Sequence, residues 1–198
     1  MIADGKRGDV PVSAAAYGQA LVGATSTPFG DVQALGADAF TANPLMGGDA
    51  LDTFVQAAEA AEAGVFALVR TSNPGAADVL DWPGGESPLH ERLAGLVAER
   101  AGQLAGTGEG RGLSGMGAVT GATEPRYLAR LRELMPAAVF LLPGVGAQGG
   151  DPRELGAAFS GHAASALVTA SRSIAGADDP ASAAERLRDQ VASVAPGA

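Results

Sequence analysis

Short apolar runs alternate with longer stretches of helical period along this chain. The runs end at Ala3 and recur at 38–41, 65–69, 115–120, 138–142 and 166–169. Each is followed by a polar or Gly-rich loop and then by a helical pattern, at 12–22, 50–62, 88–104, 125–134, 152–159 and 180–194. Six strand-then-helix units in series predict an α/β fold with a parallel sheet and helical crossovers. Helix starts carry matching chemistry. Asp151-Pro152-Arg153-Glu154 sets a capping carboxylate before a first-turn proline, with a glutamate three residues on, and Asp179-Pro180 repeats the device. Ser72-Asn73-Pro74-Gly75 and Trp82-Pro83-Gly84-Gly85 read as loops, and 107–112 as a flexible connection. Leu128, Leu131 and Leu134 form a helical core stripe, and His90 falls on a helix face with no role assigned.

Composition narrows the class. The 198 residues are 46% hydrophobic and 18% charged, enough for one core and a single domain over 1–198. A net charge of -9, with the 13 lysines and arginines dispersed, argues against nucleic acid or an anionic membrane as partner. The chain has no cysteine and only two histidines, His90 and His162, far apart, so thiolate sites are excluded and no metal site is expected. No signal peptide or apolar run of about 20 residues occurs, so cytoplasmic location is expected.

Two segments carry candidate chemistry. Asp4-Gly5-Lys6-Arg7-Gly8-Asp9 directly follows the apolar strand end Met1-Ile2-Ala3. Strand alternation sends Asp4 and Lys6 to one side, and at the mouth of a parallel barrel such a pair can move a proton or stress an anionic substrate. The second segment, Pro143-Gly144-Val145-Gly146-Ala147-Gln148-Gly149-Gly150, lies between the strand at 138–142 and the helix that Asp151 caps. Its glycines let backbone approach an anion, so a phosphate cradle is the physical reading. It also matches G-x-G-x-x-G, but the next strand ends in Arg172 rather than an acidic residue, which suits a phosphate better than a ribose diol.

Asp4-x-Lys6-x-x-Asp9, Thr41-Ala42-Asn43-Pro44, Thr71-Ser72-Asn73-Pro74-Gly75, the 143–150 loop and Ser171-Arg172-Ser173 occur in order at successive strand ends. In this the chain closely resembles orotidine 5'-phosphate decarboxylase, in the bacterial subgroup reading A-D-x-K-R-G-D. The resemblance implies a (β/α)8 TIM barrel, of which these residues supply strands 3 to 8, and conversion of orotidine 5'-phosphate to uridine 5'-phosphate without a cofactor. It implies that Asp4 faces the departing carboxylate, that Lys6 stabilises and then protonates the C6 carbanion, and that Asp9 reaches across a homodimer interface. Ser13 stands at a substrate-binding position where the family usually has threonine. Ser72 matches the serine that bonds the pyrimidine, and Gln148, Gly149, Gly150 and Arg172 match the phosphate grip.

The family's first two βα units, about 30 residues or more each, would precede the matched part, with a ribose-binding aspartate and a second catalytic lysine. The expectation is that the 198 residues alone are unstable, aggregated or inactive, and that DNA upstream of Met1 encodes both units in frame. Three alternatives stand beside the leading one. They are a magnesium-dependent hexulose-phosphate synthase or keto-acid decarboxylase relative, an inert truncated product, and a dinucleotide-binding protein.

Overall fold

The computed structural model describes residues 1–107, 110–159 and 161–196. Its first half holds β1 (Ile2–Arg7), α1 (Pro11–Leu21), β2 (Ala24–Thr27), β3 (Gly30–Gln33), β4 (Ala39–Ala42), α2 (Gly48–Ala60) and β5 (Gly64–Arg70). The second half holds α3 (Ala76–Leu80), α4 (Leu89–Arg100), β6 (Ser114–Thr120), α5 (Leu128–Leu134), β7 (Ala138–Leu142), β8 (Ala166–Val168), α6 (Arg172–Ala175) and α7 (Pro180–Ala192). Six strands make one sheet in the order β1-β4-β5-β6-β7-β8, every neighbouring pair parallel. Together with their crossovers they form the expected run of βα units from a (β/α)8 barrel.

The pleat divides the apolar residues between two cores. Phe40, Val65, Ala67, Met116, Phe140 and Leu142 face the helices and pack with Leu51, Phe54, Val55, Leu93, Val97, Leu128 and Leu131. Burial of each large side chain there contributes about 1.5–3 kcal/mol. Leu134 is partly buried against the same cluster, completing the leucine stripe on α5. The other sheet face carries Ala39, Phe66, Val119 and Leu141, with Ile2, Leu68 and Val139 around them.

Three elements depart from expectation. First, β1 does not end at Ala3 but continues through Arg7, so the Asp4-Lys6 pair lies within the strand. Second, the stretch 23–37, to which the pattern assigns no element, contains the β2–β3 hairpin, closed over Pro28 and Phe29. Its strands are mostly exposed and polar, so they lack the apolar alternation that marks a half-buried strand. Third, 152–159 is not an α-helix but two 3-10 turns, Pro152–Glu154 and Gly156–Ala158. Pro152, Leu155, Ala158 and Phe159 are its buried positions, and the first three recur at the spacing of three that a 3-10 turn brings to one side.

Arg132 makes that irregular crossover tolerable. Its guanidinium lies 3.7 Å from the Phe140 ring centroid and donates to the carbonyls of Met135, Ala138, Ala158 and Ser165 at 2.5–3.0 Å. Backbone carbonyls at the end of α5, on β7, at the end of the crossover and before β8 are thus met by one buried side chain. Burial pushes the Arg132 pKa down to about 10, which leaves it charged at neutral pH. The remaining caps are as read: Asp151 accepts from the Arg153 N–H at 2.9 Å and Asp179 from the Ser182 N–H at 3.1 Å. Of the expected connection at 107–112, residues 108 and 109 lie outside the described residues.

Candidate active site

The C-terminal ends of the parallel strands bring most of the candidate residues to one end of the sheet, where barrel enzymes place their chemistry. Asp4 and Lys6 meet there: Lys6 Nζ donates to Asp4 Oδ2 at 2.5 Å. The contact does not come from simple alternation. Lys6 takes a left-handed backbone conformation, φ 48°, and the register with β4 shifts between Ala3 and Arg7. A left-handed lysine costs on the order of 1–3 kcal/mol.

Thr41, fully buried on β4, holds that conformation from below. Its hydroxyl accepts from the Lys6 N–H at 2.9 Å and donates to Asp4 Oδ1 at 2.9 Å. One buried oxygen thus fixes both members of the pair. Partial burial pushes the Asp4 carboxyl up, but the Lys6 ammonium and the Thr41 hydroxyl outweigh it and hold the group below the ordinary aspartate range. Thr41 is a site residue that sequence reasoning names in a motif and gives no role; a threonine inside an otherwise apolar buried strand is the signal.

Asp9 belongs to the turn into α1, where its Oδ1 accepts from the Val10 N–H at 2.8 Å. Among the described residues it makes no ion pair with Lys6 of its own chain. Ser13 sits in the first turn of α1, partly buried.

On the other side of the sheet, Ser72 Oγ donates to Gln148 Oε1 at 2.9 Å, joining loops that are 76 positions apart. Gly121 makes room for the first loop, since a Cβ there would lie 2.7 Å from Ser72 Cα. In the second loop Gly144, Gly146 and Gly149 all have positive φ, which glycine adopts without penalty. The N–H groups of Gly149 and Gly150 are taken by the carbonyls of Gly146 and Gly144, at 2.8 and 3.0 Å. These glycines shape a tight turn that presents the Gln148 side chain. Gln148, Thr169, Ser171 and Arg172 line a cleft of about 130 Å³ between that turn and the start of α6. Arg172 is exposed and forms no ion pair among the described residues. The G-x-G-x-x-G segment opens no α-helix, so a dinucleotide would lack the helix N-terminus that this fingerprint supplies.

A larger concavity, about 710 Å³, lies at the opposite end of the strands and is lined by Ile2, Ala39, Phe66, Val139 and Leu167. Among the described residues the charged side chains that line it are Asp38, Glu59 and Glu62, all acidic, a lining that suits an anionic substrate poorly. Size alone does not make it the site.

The sequence agrees with known proteins over nearly its whole length. The family model described as "Orotidine 5'-phosphate decarboxylase / HUMPS family" matches residues 1–187. An orotidine 5'-phosphate decarboxylase of Deinococcus radiodurans is 44% identical over 88% of this chain and 58% of its own length. One of Thermomicrobium roseum is 40% identical over 96% of this chain and 64% of its own. The chain therefore spans roughly three fifths of the length of these curated relatives. The UMP synthase structure of Leishmania donovani superposes with a TM-score of 0.75 at 35% identity, covering 98% of this chain and 39% of that one. The OMP decarboxylase structure of the same organism gives 0.74 at 30% identity, covering 98% and 67%. On these grounds the chain belongs to the orotidine 5'-phosphate decarboxylase / HUMPS family.

Proposed function

We propose that this chain supplies the catalytic strand and the phosphate side of an enzyme that decarboxylates orotidine 5'-phosphate to uridine 5'-phosphate in pyrimidine biosynthesis. The observation that carries the reading is the Asp4–Lys6 pair, held by Thr41 at the same end of the sheet as Ser72, Gln148 and Arg172. With substrate bound, the carboxylate on C6 lies against Asp4, and two like charges at close range raise the energy of the ground state. The C6–carboxylate bond breaks, carbon dioxide leaves, and the electron pair stays on C6. Lys6 stabilises that charge as it appears and then gives a proton from Nζ to C6. A fixed ammonium aimed at developing charge is the most effective single device available where no electron sink is bound.

Arg172 and Gln148 take the phosphate, Gly149 and Gly150 form the turn that presents Gln148, and Ser72 bonds the pyrimidine. Loops after the last two barrel strands and a short helix following them are the common phosphate site of barrel enzymes. In this reading residues 1–198 belong to one barrel domain of which they supply strands 3 to 8, needing no cofactor and acting in the cytoplasm as a homodimer. Asp9 and the first turn of α1, with Ser13, serve the partner subunit's site, in keeping with an Asp9 that, among the described residues, pairs with the Val10 N–H and not with its own Lys6.

The test is an assay of the protein expressed from its own gene, with orotidine 5'-phosphate as substrate and a chelator present. Release of carbon dioxide with formation of uridine 5'-phosphate is expected. Activity only on a sugar phosphate, and only with magnesium, would instead assign the chain to the hexulose-phosphate branch.

A further inference from the structure

Behind Ser72 lies a group of buried and half-buried polar side chains that the reaction itself does not use. Arg70 ends β5 and is 4% exposed. Its guanidinium grips Asp81 with two hydrogen bonds, Nε to Oδ1 at 2.8 Å and Nη2 to Oδ2 at 3.1 Å. Asp81 Oδ2 also accepts from the Tyr127 hydroxyl at 3.0 Å. His90 closes the group: Nδ1 lies 2.8 Å from the Leu80 carbonyl, which can only accept, so this nitrogen carries the proton. The His90 ring meets Tyr127 edge to face at 5.0 Å, and the Arg70 guanidinium lies 5.1 Å from the centre of the same ring.

This cluster is tied to the site through backbone carbonyls. Arg70 O accepts from the Gly121 N–H at 2.6 Å, Thr71 O from Arg70 Nη1 at 2.7 Å, and Ser72 O from Thr123 Oγ1 at 2.9 Å. Three consecutive carbonyls are thus anchored just where the chain leaves the sheet. The far end of the same excursion is anchored by Asp81 and the Leu80 carbonyl. Between the anchors, residues 73–75 are exposed and carry little packing of their own. A bidentate guanidinium–carboxylate pair fixes orientation as well as distance, which a single hydrogen bond does not.

We propose that Arg70 and Asp81, locked by Tyr127 and His90, are positioning residues for the reaction. They hold the backbone of Thr71 and Ser72 so that the Ser72 hydroxyl stays on Gln148, coupling the pyrimidine side of the site to its phosphate side. The inference rests on the decarboxylase reading for the identity of the substrate, and on geometry alone for the anchoring.

The experiment combines Asp81→Asn, and the milder Tyr127→Phe, with Ser72→Ala, reading kcat/KM for orotidine 5'-phosphate and hydrogen exchange across residues 71–80. Asp81→Asn is expected to lower kcat/KM about tenfold in the otherwise unchanged protein but less than about twofold once Ser72 is already alanine, because both changes act on one interaction. Tyr127→Phe is expected to show the same pattern at smaller size. Exchange at 71–80 should quicken in both while β6 stays protected. Equal losses with and without Ser72, or unchanged exchange at 71–80, would overturn the proposal and leave the cluster a stabilising one. If the unsubstituted protein fails to turn over orotidine 5'-phosphate, the decarboxylase reading falls by itself, and the exchange measurement still decides the anchoring.

Discussion

Asp4 and Lys6 meet with 60% and 50% of their side chains in solvent, whereas Arg70 and Asp81, paired at a similar distance, keep only 5% and 23%. The two pairs sit at the same end of one sheet and differ in what their surroundings permit. An exposed pair contributes about 0–1 kcal/mol to stability, so Lys6 can leave Asp4 for a substrate group at little cost. A buried pair is costly to break, about 3–5 kcal/mol when one partner is removed, and so serves to hold backbone in place. Chemistry is kept where charges can change partners, and geometry is kept where they cannot. Thr41 joins the two styles: a buried hydroxyl that orients an exposed pair.

The sharpest way to break this comparison is Lys6→Ala. Loss of a preorganised charge aimed at the transition state is expected to cost about 10³-fold or more in kcat/KM, while thermal stability stays within about 2 °C. A large fall in melting temperature would place Lys6 among the structural residues. Arg70→Leu is the converse. Because Asp81 keeps 23% of its side chain in solvent, the stability loss is expected at about 2–3 kcal/mol, below that of a fully buried pair, or about 5–10 °C in Tm. Calorimetry on both variants checks the two expectations together.

Arg172→Ala tests the phosphate side. A charge-assisted hydrogen bond is worth about 1.5–3 kcal/mol, so kcat/KM for the phosphorylated substrate should fall about 10–100-fold, with almost no change for the bare nucleoside. Equal losses for both would show that Arg172 serves the fold. Thr41→Val keeps the shape of the side chain and removes its oxygen, and a fall of about tenfold in kcat/KM is expected as Asp4 loses its orientation. Thr41→Ser should restore most of the rate; if it does not, packing rather than the hydroxyl is what matters at position 41.

The same contrast explains which features the sequence discloses. The six core strands and the start of α7 follow from apolar runs and from Asp179-Pro180, because burial and capping are local signals. Asp4, Lys6, Ser72, Gln148 and Arg172 are legible as motifs at strand ends. Arg70, Asp81, His90 and Tyr127 are not, since they come from the end of β5, the end of α3, the start of α4 and the turn before α5, and become neighbours only in the folded chain. A single arginine closing an apolar strand is their one trace. The crossover at 152–159 misleads for a related reason: Asp151-Pro152 caps a 3-10 turn with the same chemistry that starts an α-helix, and the Ala158 carbonyl that ends the crossover is met by Arg132 on α5, a partner no local pattern shows. The β2–β3 hairpin escapes because an exposed hairpin with polar residues on both faces carries no period to detect.

The smallest expected effect separates the two carboxylates by acid. Burial pushes both Asp4 and Asp81 up, and their partners more than reverse this: Lys6 and Thr41 for Asp4, Arg70 and Tyr127 for Asp81. Both folded-state values therefore lie below the unfolded one of about 3.9. A group depressed in this way contributes stability that is complete above the unfolded value and is lost as pH falls through the folded one, so the window lies at and below about pH 4. Asp4 faces solvent and its stake in folding is slight; Asp81 holds the Ser72 excursion shut. Melting temperature measured from pH 7 down to pH 3 should therefore drop less steeply in Arg70→Leu than in the unsubstituted protein, because the variant has already lost what protonation of Asp81 removes. Asp4→Asn should leave the acid slope nearly as it was. If Asp4→Asn flattens the slope more than Arg70→Leu, then the exposed pair, not the buried one, holds this end of the sheet together.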